Sequence, residues 1–304
     1  VALSDFEGFD TVAARFRDSA LTPFRFGGKV YGLPETQTFP LLFYRTDVFG
    51  ELGLSAPQTW TDVFRVVGVL QQHNMTMGVQ PPSSIIGASN GLTSLSMFLF
   101  QNGGEFYTDG DKKSGLSSDA AVEAFKTWIS LYVDYSLPVK YDAATRFRTG
   151  EMPLLIEDYT LFNYLSVSAP EIRGLWSFAP VPGTTRADGT VSRAVGSTGL
   201  ASMMLSAAKD KESAWKFLRW WTSDETQVAY GRNIESYLGV SARYPTANTY
   251  AFSQLPWPAK EYGILSSQWE NVKGIPEVAG GYFTSRYVNN AFRRVLTYND
   301  DPKE

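Results

Sequence analysis

The sequence predicts an α/β fold, and three observations lead there. Short apolar runs bounded by Gly, Pro and polar clusters alternate along the chain with stretches whose apolar residues recur at helical spacing. That mixing continues from the first quarter of the chain to the last, so strands and helices belong to the same layers rather than to separate blocks. The composition is that of a packed globular protein: 304 residues, 43% hydrophobic and 19% charged, enough for two domains or one large one.

In order, residues 1–26 read as a short helical or irregular segment with Phe6, Phe9, Phe16 and Phe24. Gly27 and Gly28 turn the chain into a strand from Lys29 to Leu33. A second, more apolar run spans Phe39 to Tyr44. Thr59 caps a helix with Trp60, Val63, Phe64, Val67 and Leu70 on one face. Residues 89–101 form another helix, closed by Asn102-Gly103-Gly104. Ser118 opens a third, with Val122, Phe125, Ile129 and Tyr132 on its buried face. A strand from Pro153 to Ile156 leads into a short helix from Tyr159 to Ser166, and Trp176 to Ala179 reads as a strand. Residues 193–205 mix Gly, Ser and apolar residues, as a segment crossing between regions would. Lys211 to Trp221 is strongly amphipathic, with Ala214, Trp215, Leu218 and Trp221 on one face. A shorter helix from Asp224 to Tyr230 follows, then a Pro-rich segment to Pro258 and helices near 259–270 and 284–297.

Composition excludes several classes. Lys plus Arg is 27 and Asp plus Glu is 31, for a net charge of −4, no footprint for nucleic acid or an anionic membrane. No apolar run approaches the ~20 residues of a membrane span. Cysteine is absent, which removes disulfides, thiolate chemistry and Cys-ligated metals. The single histidine, His73, sits at the polar end of a helix, where it reads as a solvated or C-capping residue. No metal site and no cofactor are expected. Tyr107 to Lys113 reads as a hairpin turn rather than a calcium loop, for want of oxygen ligands. Gly87 to Gly91 lacks the ending of a phosphate loop.

A set of motifs in fixed order carries a family resemblance. Gly27 to Pro34 reads GGKVYGLP. It is followed by Leu42 to Phe49, Pro57 to Asp62, Gln101 to Gly104, Phe147 to Met152, Phe178 to Gly183, Gly196 to Gly199 and Ala214 to Leu218. In that order they resemble the extracellular solute-binding proteins of ABC importers, the group that includes maltose-binding protein. Phe147 to Pro153, Ile156 to Tyr159, Arg243 to Asn248, Leu255 to Pro258, Gly274 to Val278 and Gly280 to Thr284 further resemble the long sugar-binding proteins of Paenibacillus-like Gram-positive bacteria.

The resemblance implies a two-lobed fold closing on a carbohydrate, with 1–37 and 195–245 in the first lobe and 38–194 and 246–304 in the second. Only 28 residues precede the strand where the family has several βα units, so the first lobe is expected to be incomplete within this chain. The crossing strands are expected at Pro34 to Thr38, at Val195 to Gly199 and near Tyr237 to Arg243. The expected partners are a carbohydrate, most simply an oligosaccharide, and a membrane permease. The protein is expected to be monomeric, non-enzymatic and extracellular, held at the cell surface by a lipid anchor.

Candidate ligand residues follow. Glu35, Thr36, Gln37 and Thr38 offer a carboxylate, an amide and two hydroxyls, a good inventory for sugar hydroxyls, or else a solvated strand-entry turn. Asp158 and Tyr159 stand where a strand meets a helix, as polar anchor and stacking aromatic, although Asp158 alone could simply cap the helix. Ser197 lies on a crossing strand. Tyr282 and Arg286 follow Gly280-Gly281 at a helix start, either facing the cleft or on an ordinary surface loop. Trp257 is either a cleft wall or a core plug. Two other readings compete: a protein-interaction or sensor module of the same fold, and a glycoside hydrolase using Glu35 with Glu157 or Asp158.

Overall fold

The computed structural model describes residues 1–80 and 90–303. Most of the Gly87 to Gly91 segment lies outside them. The central element is a four-stranded mixed sheet. Its strands are β1 (Pro40–Arg45), β2 (Met77–Val79), β3 (Leu154–Asp158) and β4 (Trp176–Ala179), in the spatial order β2-β3-β1-β4. β2 runs parallel to β3, while β1 is antiparallel to both of its neighbours. Leu41, Leu42 and Phe43 are all fully buried, so β1 is covered on both faces and reads as a continuous apolar run rather than an alternating one. Its last residue, Arg45, is buried. It is held by two bonds to Asp47 (2.9 and 2.6 Å) and by the carbonyls of Phe147 and Arg148. That guanidinium keeps the Asp47 carboxyl below its usual range.

Helices cover the sheet: α1 (Trp60–Gln72), α2 (Asn90–Gln101), α3 (Asp119–Val133), α4 (Leu161–Ser168), α5 (Ala259–Trp269) and α6 (Gly281–Tyr298). Thr59 and Asp62 form a full capping box at the start of α1, and Trp60 donates to Gln101 at 2.9 Å, which ties α1 to the end of α2. His73 is exposed and its backbone caps α1, in agreement with the sequence. Tyr107 to Ser114 is the expected hairpin.

Two separate hydrophobic cores form among the described residues. The larger surrounds the sheet and runs through Trp128, Phe147, Phe252, Trp269 and Phe292. The smaller gathers Leu3, Phe9, Val12, Phe16, Leu33, Trp215 and Leu218. Between them run three segments bonded side by side. Thr38 bridges Thr198, Thr36 bridges Thr246, and Gly32–Pro34 pairs with Ala201–Met203.

Four expectations need correction. The third segment beside the crossing strands is Pro245 to Ala247, not Tyr237 to Arg243, because the helix begun at Asp224 continues to Leu238. Gly231 does not end that helix. It is where Leu255 packs on it, and a Cβ there would lie 2.6 Å from the leucine. The buried face of α3 is Ala121, Ala124, Trp128, Ile129, Leu131 and Tyr132, while Val122 and Phe125 are only half-buried, so Trp128 and not Phe125 is the anchor. On the helix Lys211–Trp221, Trp215 and Leu218 are buried, but Trp221 is half-buried and packs edge-on against Tyr230.

Candidate functional site

The sheet topology brings several chain segments to one edge. β2 and β3 are parallel, so the carboxyl ends of both point the same way, the usual ligand position of open α/β sheets. Gln80 follows β2 directly, and Glu157 and Asp158 are the last two residues of β3. Pro40 pairs with Asp158 in register, which delivers Thr38 and Phe39 to the same edge. The Thr38–Thr198 bridge brings in the second crossing segment, with its two hydroxyls 3.0 Å apart. Thr93, Ser94 and Met97 of α2 close the far side. The half-open cavity is about 220 Å³, lined by these polar groups and by Phe39, Pro40, Val79, Met97 and Ile156.

Two carboxylates dominate its electrostatics. Gln80 Nε2 donates to both oxygens of Glu157 (3.2 and 2.9 Å). Burial pushes this carboxyl up to about 7, with Asp158 adding to the rise and the Gln80 bond opposing it. Asp158 accepts from the Thr160 backbone N–H (2.9 Å) and hydroxyl (2.7 Å), and from the Thr38 hydroxyl. Burial still raises it above the usual carboxylate range. Asp158 therefore caps the turn into α4 and lines the cavity at once.

Of the sequence candidates, Thr38 and Asp158 come together in this cavity. Glu35 accepts from the Ser202 hydroxyl, and Thr36 Oγ1 accepts from the Leu200 N–H (3.0 Å), so both brace the crossing segments. Gln37 is 2% exposed. Its amide donates to Ser19 (3.1 Å) and Ser197 (2.9 Å) and accepts from Trp269 (2.8 Å). Ser197 is likewise buried. Tyr159, expected as a stacking platform, is 1% exposed. It packs among Phe39, Phe252 and Trp257, and its hydroxyl donates to the Gln37 carbonyl at 3.0 Å. A ring with no open face cannot stack on a ligand, so in this conformation Tyr159 is a core residue. Trp257 joins the same aromatic cluster, against Phe162, Phe252 and the Arg243 guanidinium, which makes it a core plug. Tyr282 and Arg286 are exposed near the start of α6 and do not line the cavity.

Sequence reading missed Gln80, Thr198 and Ser94 as cavity residues, and saw Glu157 only as a possible hydrolase carboxyl. The signal for Gln80 was weak: β2 is three residues long, and without that strand nothing places position 80 at a sheet edge.

Comparison with known proteins agrees with this architecture. The family model described as bacterial extracellular solute-binding protein matches residues 7–228. A putative binding protein of Brucella abortus is 25% identical over 284 residues, covering 88% of this chain. The chain spans 66% of the length of that curated relative. Among solved structures, an ABC transporter solute-binding protein from Thermotoga lettingae, bound with α-D-tagatose, superposes with a TM-score of 0.77 at 19% identity, over 99% of this chain and 75% of that one. The cyclic α-maltosyl-1,6-maltose binding protein from Arthrobacter globiformis gives 0.76 at 16% identity, over 97% and 74%. The fold is thus the two-lobed one of such binding proteins, and no helix among the described residues is long and apolar enough to cross a membrane. With a match over most of its length, the chain belongs to the bacterial extracellular solute-binding protein family.

Proposed function

We propose that this chain captures a carbohydrate, most simply an oligosaccharide end, between its lobes and hands it to the permease of an ABC importer. The observation that carries the reading is the cavity at the carboxyl ends of β2 and β3. Hydroxyls, an amide and two carboxylates surround an apolar floor there, the mixture that a ring with polar edges and apolar faces requires. Thr38, Asp158, Gln80, Glu157 and Thr198 are its contacts. Tyr282 and Arg286, exposed near the start of α6, lie outside this cavity and would meet only a ligand that extends beyond it. The lobes divide as 1–37 with 195–245 and 38–194 with 246–304; the two cores among the described residues follow that division except at Val195, which joins the larger core, and Ala247, which joins the smaller. The protein acts as a monomer on the outer face of the cell membrane, tethered by lipid, in the manner of the long Paenibacillus-type binding proteins.

Binding without catalysis fits the carboxylates. The pair lining the cavity, Glu157 and Asp158, are successive residues of one strand. Glycoside hydrolysis needs carboxyls on opposite sides of the bond, and Glu35 is engaged with Ser202 instead. A thermal-shift screen over mono- and oligosaccharides tests the reading, since a ligand at 100 times its Kd adds about 2.7 kcal/mol of stability. Upward shifts with several related glycans support it. A flat screen over the whole panel refutes it.

A further inference from the structure

The cleft also carries information about the charge of its ligand. Among the described residues, those lining it include two carboxylates, Glu157 and Asp158, and no Lys, Arg or His. The ion pairs among the described residues engage neither carboxylate, although twelve such pairs form elsewhere. Among the described residues the Glu157 partners are the neutral Gln80 amide and the Asp158 backbone N–H, and the Asp158 partners are hydroxyls and a backbone N–H. Two carboxylates held in a partly desolvated cavity without a countercharge are costly. A ligand that brings a positive charge relieves that cost, and one that brings a negative charge deepens it.

Resting on the reading of this cleft as a carbohydrate site, we infer that it is built for a saccharide bearing a protonated amine and rejects saccharides bearing a carboxylate or phosphate, with Glu157 as the residue that sets the choice. The Gln80 amide holds both Glu157 oxygens while the residue lines the cavity, which orients the carboxylate without neutralising it. Asp158 is the neighbouring charge on the same strand. Tyr141, whose hydroxyl is buried and finds no partner among the described residues and whose ionisation the Glu157 charge opposes, stays neutral and adds no cation. The neutral hydroxyls of Thr38 and Thr198 remain for the sugar's own hydroxyls, so the amine adds to polyol recognition and does not replace it.

The test is calorimetric titration with sets of probes differing at one carbon. Methyl glycosides of glucose, galactose and mannose are each prepared with a 6-hydroxyl, a 6-amino or a 6-carboxylate group. A primary amine on a methylene keeps its proton through pH 8, so its charge is constant across the experiment. On whichever scaffold binds, the amine should bind about tenfold tighter than the hydroxyl at pH 8, as a charge-assisted bond exceeds a neutral one, and the carboxylate about tenfold weaker. The amine's advantage should grow as pH rises from 6 to 8, because Glu157 ionises over that interval. E157Q, nearly isosteric, should bring amine and hydroxyl within about threefold of each other, whatever it does to the affinity for either; D158N provides a second variant should E157Q fail to fold. Equal affinity for amine and hydroxyl in the wild type at pH 8, or tighter binding of the carboxylate, overturns the charge assignment and leaves the carbohydrate reading standing. Failure of every scaffold in every charge form overturns both.

Discussion

The indole Nε1 of Trp269, at the end of α5, donates to the side-chain oxygen of Gln37 at 2.8 Å, across 232 positions of sequence. The same amide donates to Ser19 of the N-terminal segment and to Ser197 of the neighbouring crossing segment. One buried glutamine thus joins the first crossing segment to three distant parts of the chain. The Gln37→Leu substitution keeps the bulk but strands the Trp269 N–H and removes the two donated bonds. A buried donor without a partner costs roughly 1–3 kcal/mol, so urea unfolding should show a loss of that order. A change below about 0.5 kcal/mol would mean that the bond contributes nothing to holding these segments together.

Three neighbouring tryptophans should respond very differently to truncation. Trp215 is 2% exposed, stacks on Phe6 at 5.4 Å and donates to the Glu7 carbonyl. Trp215→Ala should cost about 3–5 kcal/mol. Trp220 is 56% exposed on the opposite face, and Trp220→Ala should stay under about 1 kcal/mol. Trp221, half-buried, should fall between them. The ranking, read from denaturation midpoints, fails if Trp220 costs as much as Trp215.

Stability should depend on the ionisation of Glu157. Its carboxyl is raised to about 7 in the folded protein, above the ordinary value of 4.5. The stability tied to its protonated form is complete below about pH 4.5 and is lost as pH climbs through 7. Without ligand, Glu157→Gln should therefore raise the Tm at pH 8, by a gain of order 1 kcal/mol, and change little at pH 4.5. Melting curves at the two pH values decide it; an equal effect at both would place the origin elsewhere than the charge.

Much of the fold was legible in the sequence because it lay in local signals. Capping residues such as Thr59 and Ser118 and the helical period of Lys211 to Trp221 mark elements without reference to the rest of the chain. What was not legible depended on what each element meets. Tyr159 has the right position for a ligand aromatic, yet Phe39, Phe252 and Trp257 close over it from segments 93 to 120 residues away. Gly231 looks like a helix end and is instead the place where Leu255 comes closest. At the site, Thr38 and Asp158 could be read from their places beside strand ends. Gln80 and Thr198 could not, because each reaches the cavity through pairing between segments distant in sequence.

The most direct measurement of the central claim is calorimetric titration of the protein with a panel of mono- and oligosaccharides, repeated on Asp158→Ala. Asp158 is chosen because it both lines the cavity and is held by Thr38 and Thr160. The account predicts saturable binding of at least one glycan with no release of reducing ends, and an affinity at least tenfold weaker in the variant, the loss expected for a charge-assisted bond. No binding by the folded wild type, or binding that Asp158→Ala leaves unchanged, would contradict a carbohydrate site at the carboxyl ends of β2 and β3.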